Sequence, residues 1–357
     1  MALIQTTQTG PIGIGTQRDS AFSQWVSRNA AILLLGVVLI LLPVVVNDFI
    51  MIQVVGWATI LGIIALSLMF LGGYGGMVSL AQMTTAGVAG YMITVFGASS
   101  MPTISLFWPW WVAAPIAMII AVLFGTLTGL LSARTEGIYT IMITLAIAAA
   151  FFYLTLQNWP IFNGFAGFTT IPTPVAFGVN WRQPIPFYYL ILFFAALSYV
   201  VVVYISQAPF GLALQGVRDN PRRMAAIGYN VTAHRVAAYA FAGLLASIGG
   251  ILMVWLNNQI SPGSAGIEAT IDMLVIAVVG GIGHPIGAFV GAIIYTILRT
   301  FALDALVAVG LDGRRFQTLI GLCFLLIVLF SPDGVVGLWQ RFIGRSRSSS
   351  TGGRAQH

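Results

Sequence analysis

Apolar residues fall into a succession of long runs, separated by short stretches that are polar or rich in Gly and Pro. The runs lie at roughly 31–46, 54–71, 77–97, 108–131, 138–156, 187–206, 236–256, 271–303 and 316–331. Most have close to the 17 to 25 residues that a helix needs to cross the hydrocarbon of a bilayer. The pattern predicts an all-α polytopic membrane protein of about 8–10 transmembrane helices. One run does not fit. At 33 residues, 271–303 is too long for one span and too short for two, and it is interrupted at GGIGHP. A broken or re-entrant helical hairpin is the expected solution, because freed backbone groups at membrane depth are tolerated only where protein or a watery cavity surrounds them.

Arginine placement orients the spans. The rule that cytoplasmic loops carry the positive charge puts residues 1–30, with Arg18 and Arg28, inside as a retained tail, and Arg134 falls inside after four crossings. Loop 207–235, with Arg218, Arg222, Arg223 and Arg235, is inside after six. Loops 157–186 and 257–270 then lie outside, the first with Arg182 alone and the second with no Arg. Arg341, Arg345, Arg347 and Arg354 place a basic tail, 339–357, inside, which leaves 31–338 as the transmembrane domain. The parity requires 271–303 to enter and return on the outer side. Arg299, Arg314 and Arg315 then sit near the outer face, against the rule.

Composition narrows the function. Of 357 residues, 59% are apolar and 7% charged, against roughly 25% charged in soluble domains. All 15 basic residues are Arg. Without Lys the chain holds no complete Walker A loop and no Schiff-base lysine, so any ATP that drives it binds another chain. Arginines spread through apolar sequence form no nucleic-acid groove. Cys323 has no internal disulfide partner and reads as packing, and the three His, His234, His284 and His357, form no metal cluster in sequence. Trp108, Trp110 and Trp111 read as an interfacial belt.

Loop 207–235 encodes a short helix in RDNPRRMAAIGYN. Asp219 or Asn220 can cap it, Pro221 suits its first position and Gly228 its termination. Arg222 and Arg223 can face an acidic partner, while Met224, Ala225 and Ile227 offer an apolar surface. The bland alternative is a positive anchor that only orients the chain. Within the spans, Ser79, Gln82, Thr84 and Thr85 are candidates to line a solute pathway or to bond helices together. Asp272 is an ionisable residue at a span boundary, hence a functional candidate or a helix N-terminal charge. Gly281, Gly283 and His284 mark the break in the long run, where Gly283, Gly287 and Gly291 also form two overlapping GxxxG steps suited to a packing seam.

The segment FGLALQGVRDNPRRMAAIGYNV, from Phe210 to Val231, resembles the cytoplasmic loop of branched-chain amino acid ABC-transporter permeases, with Arg218, Ala225, Ala226, Gly228, Asn230 and Val231 matching in place. The likeness continues in GGYGGMVSLAQMTTAGVAGY (72–91), RTEGIYTIMITLA (134–146), GFTTIP (167–172), ISPGSAGIEATIDMLVIAVVGGIGHPIGAFVGA (260–292) and FSPDGVVGL (330–338). Six motifs in order, with the N-terminal extension, are similar to the LivM-type subunit.

The resemblance implies a multi-pass permease of the bacterial inner membrane that works with a second, LivH-type permease, two cytoplasmic ATPase subunits that bind ATP and Mg, and a periplasmic solute-binding protein. It makes Arg218, Asp219, Asn220, Pro221, Arg222, Arg223, Ala225, Ala226 and Gly228 the ATPase-coupling helix. The chain itself would be non-catalytic and bind no cofactor. Two departures bear on the solute. Gln82 stands where the family usually has His, and Ala166 where an acidic residue is frequent, so amino acids, amides, urea and aromatic acids all remain in view. The competing class is an ion-coupled secondary transporter, which also uses broken helices but needs mid-span ionisable residues that are scarce here.

Overall fold

The computed structural model describes residues 36, 38–44, 46–176, 178–308, 321–322, 334–335 and 337. The tails 1–30 and 339–357, the run 316–331 apart from residues 321–322, Cys323, Arg314 and Arg315 lie outside them. The chain divides into a short unit, Met1–Asn47, in which residues 38–44 are helical, and a main unit, Asp48–His357. Everything below concerns the main unit.

Apart from a minimal hairpin of β1 (Val175–Ala176) and β2 (Val179–Asn180), the regular structure of its described residues is helical. Among the described residues five helices are long and apolar enough to cross a membrane: α1 (Ile50–Tyr74), α3 (Trp110–Ser132), α4 (Ile138–Gln157), α5 (Pro184–Gln207) and α8 (Val231–Asn257). Between them stand α2 (Gln82–Phe96), α6 (Pro209–Asp219) and α7 (Pro221–Ala226), and after them α9 (Ile267–Gly280) and α10 (Pro285–Ala308).

The spans differ in how far they are wrapped. In its most apolar stretch α1 is 89% buried and α8 67%, while α3, α4 and α5 are each 28% buried. The first two are therefore central, and the other three each turn one stripe inward. In α3 that stripe is Ala113, Ala117, Ala121, Gly125 and Gly129, one residue per turn, while Ile119, Leu123 and Leu127 are exposed. Small residues let backbones meet where burial against lipid gives no drive. A Cβ on Gly125 would lie 3.2 Å from the α-carbon of Gly243 in α8.

The run predicted at 77–97 is helical only over Gln82–Phe96. Fifteen residues rise about 22 Å, short of the roughly 30 Å of hydrocarbon. Residues 75–81 approach α2 as non-helical backbone instead. Glycine explains the departure. Gly76 has φ +66°, and α1 ends just before it in a π-helical turn, Phe70–Tyr74.

The long run 271–303 is two helices, and the bend between α9 and α10 is 117°. A bend beyond a right angle turns the chain back, so the segment is a hairpin, as its length predicts. Gly281 at φ +105° makes the turn, and Pro285 opens α10 where no amide donor is required. The glycine seam is real, with one member exchanged. Gly287 and Gly291 press on Gly280 and Ile276 of α9, whereas a Cβ on Gly283 would meet nothing within 4 Å. Gly283 stays out of the seam because it sits on the open turn.

The predicted outer loops hold each other. Phe168 and Ile260 exchange backbone hydrogen bonds at 2.8 and 2.9 Å, joining loop 157–186 to loop 257–270.

Candidate functional site

Two regions at opposite ends of the hairpin carry the sequence candidates. The first is α6–α7. Asn220 caps α7 by accepting from the Arg223 amide at 2.9 Å, Pro221 occupies the first turn, and Gly228, at φ +100°, follows the helix end. Of the two cap candidates it is therefore Asn220 that acts. Asp219 is taken by Arg218, at 2.9 Å. Arg222, Arg223, Ala225, Ala226 and Gly228 are exposed, and α7 buries no residue. The apolar surface departs from the sequence reading: Met224 folds back against Gly216, and Ile227 and Tyr229 are exposed beside Ala225 and Ala226.

Two arginines anchor this region to the spans. Arg235 donates to the Ala133 carbonyl at 3.0 Å and to Glu136 at 3.1 Å, tying α8 to the α3–α4 turn. Arg218 donates through Nη1 to the carbonyl of Gly73 at the end of α1. In the sequence both read as loop charges, with Arg218 in the coupling segment that the resemblance implies. Their reach across more than a hundred residues of sequence has no local signal.

The polar quartet in the second motif separates into two kinds. Ser79 accepts from the Ala81 amide at 3.3 Å, Gln82 lies 3.1 Å from Ser67 of α1, and Thr85 donates back to the Ala81 carbonyl at 2.8 Å. These three hold the backbone and helices. Thr84 is fully buried with its hydroxyl unpartnered among the described residues.

The second region is a cavity of about 320 Å³ at the far ends of the hairpin arms. Glu268 and Asp272 come from α9, Tyr295 and Arg299 from α10, with Trp57 and Met253 among the apolar walls. Asp272 on one arm and Tyr295 and Arg299 on the other line the same cavity. Arg299, which broke the charge rule, thus lines a cavity together with two carboxylates. The sequence did carry a signal for this site: 268 and 272, like 295 and 299, are spaced four apart, which puts each pair on one helix face. His284 lies in the turn at the other end of the hairpin, its amide bonded to Gly281 at 3.2 Å, so it does not join Asp272. Among the described residues no three His, Cys, Asp or Glu side chains are placed to hold a metal.

A profile of the branched-chain amino acid transport system / permease component family matches residues 50–330. The chain belongs to this permease family. Its relatives include a probable branched-chain amino acid transport permease protein LivM of Methanocaldococcus jannaschii, 25% identical over 62% of this chain and 67% of that protein. The high-affinity branched-chain amino acid transport system permease protein LivM of Salmonella typhimurium is 22% identical over 63% of this chain, and the match spans 57% of that relative's length. The ribose import permease protein RbsC of Haemophilus influenzae is 22% identical over 70% of this chain and 76% of its own. No solved structure matches. Membership makes the chain a multi-pass permease component, and the two kinds of relative carry chemically unlike solutes in their names.

Proposed function

We propose that this permease is the membrane subunit of an ATP-driven importer in the cytoplasmic membrane, forming half of a pathway for a small polar solute delivered by a binding protein. The observation that carries the reading is α7. It is a capped, two-arginine helix that buries nothing of its own, flanked by arginines that grip the spans. A mere charge anchor has no need of a capped helix or of Ala225, Ala226 and Ile227 held in the open. A groove on a cytoplasmic ATPase subunit would take that surface, with Arg222 and Arg223 meeting its acidic rim. This chain has no Lys to supply a Walker A loop, which supports a reading in which ATP and Mg are bound by that partner.

A second, LivH-type permease would complete the pathway against the half-covered spans. An amino acid, branched-chain or other, suits the cavity: Asp272 and Glu268 for an ammonium group, Arg299 for a carboxylate and Trp57 for an apolar side chain. Proteoliposomes holding the permease pair, with and without the ATPase subunits, test the reading. Uptake should require ATP and the ATPases and be indifferent to a protonophore. Uptake that survives removal of the ATPases and collapses with the protonophore would establish the ion-coupled alternative instead.

A further inference from the structure

We propose that Arg218 is a positioning residue that latches α6 to the end of α1, on which the tip of the α9–α10 hairpin is seated, making the hairpin a lever between α6–α7 and the cavity. The proposal rests on the importer reading and specifies the route by which movement reaches the solute.

The latch begins with an acceptor that a helix end leaves free. The last carbonyls of a helix lack intrahelical donors, and α1 stops in its π-helical turn, Phe70–Tyr74. The Gly73 carbonyl then receives Nη1 of Arg218. The same guanidinium uses Nε and Nη2 on Asp219, each at 2.9 Å. A planar fork can serve two acceptors in fixed directions, where a single ammonium cannot. The Arg218 stem lies on Gly76, where an added Cβ would come 2.5 Å from its Cγ.

Gly73 also carries the next contact. A Cβ there would lie 2.3 Å from the carbonyl oxygen of Ile282, in the hairpin turn. The residue that Arg218 holds is thus the residue on which the tip is seated. From the tip onward the arms are joined backbone to backbone. A Cβ on Gly287 would stand 2.7 Å from the Gly280 carbonyl oxygen, and one on Gly291 2.1 Å from that of Ile276. Arms so close tilt together rather than slide. Their other ends bring Asp272 and Glu268 opposite Tyr295 and Arg299 in the cavity wall. Displacement of α6 therefore arrives at these four side chains without passing through the solvent-exposed loops.

Hydrogen exchange on the complete reconstituted complex, in the resting state and trapped with ATP and vanadate, tests the latch. In the unaltered protein trapping should change exchange in both 209–226 and 281–284. Arg218→Gln should keep the response in 209–226. It should lose the second response and cut uptake per ATP hydrolysed by about tenfold, the scale of one lost charge-assisted hydrogen bond. Gly73→Ala approaches the same contact from the other side, and either variant decides. A response at 281–284 that persists in Arg218→Gln with unchanged uptake per ATP would overturn the latch and leave the importer reading standing. No response in 209–226 of the unaltered complex would overturn both.

Discussion

The backbone amide of Leu80 donates to Oγ1 of Thr144 in α4 across 3.0 Å. Leu80 lies in the non-helical approach to α2, where an amide has no helical acceptor, and lipid cannot supply one. Thr144 turns its own hydroxyl to the Thr140 carbonyl at 2.9 Å, so the side chain serves both segments. Thr144→Val, isosteric but without the acceptor, should cost about 1–3 kcal/mol by stranding the amide. Thr144→Ser should be close to neutral. Thermal unfolding of the purified permease in detergent checks the pair; equal melting of both variants would mean the amide finds another partner.

Gly250 of α8 rests on α2, where a Cβ would lie 2.0 Å from the Ala86 carbonyl oxygen. Gly250→Ala should destabilise by about 1–3 kcal/mol through overpacking, and Gly250→Val should abolish a monodisperse folded product on size exclusion. Gly283→Ala, on the open turn, is the control that should fold normally.

The α7 cap gives a milder variant. Asn220→Ala removes the acceptor of the Arg223 amide and should cost about 1 kcal/mol of local helix stability, while Asn220→Asp keeps it. Hydrogen exchange in 221–226 should quicken only in the alanine variant, with the rest of the chain unchanged.

How far the sequence speaks depends on whether the determining contact is local. The α7 cap, the spans and the hairpin break were legible because Pro, Gly, Asn and apolar periodicity act over a few residues. The shortening of α2 was not, since its run is apolar throughout and only the backbone of Gly75 and Gly76, together with the distant Thr144, allows it to start late. The cavity was half legible. Asp272 stood out as a charge at a span boundary, but Tyr295 and Arg299 reach it only because the hairpin folds back. Ser79, Gln82 and Thr85 looked equal to Thr84 in sequence, and their partners on α1 and the local backbone separate them.

Asp272 and Arg299 should matter for the solute more than for the fold, since both line the cavity and neither is fully buried. Asp272→Asn and Arg299→Gln should each raise the solute concentration for half-maximal uptake by about tenfold, as expected for lost charge-assisted bonds. Melting should stay near that of the unaltered protein. Uptake curves that superimpose on the unaltered protein's would place the solute elsewhere.

Uptake per ATP hydrolysed in reconstituted complexes measures directly whether ATP energy enters through α7. With Arg222 and Arg223 both replaced by Glu, the chain should insert and pair normally, ATP hydrolysis should continue, and uptake should fall to background. Uptake at the unaltered level in that variant would contradict entry through α7.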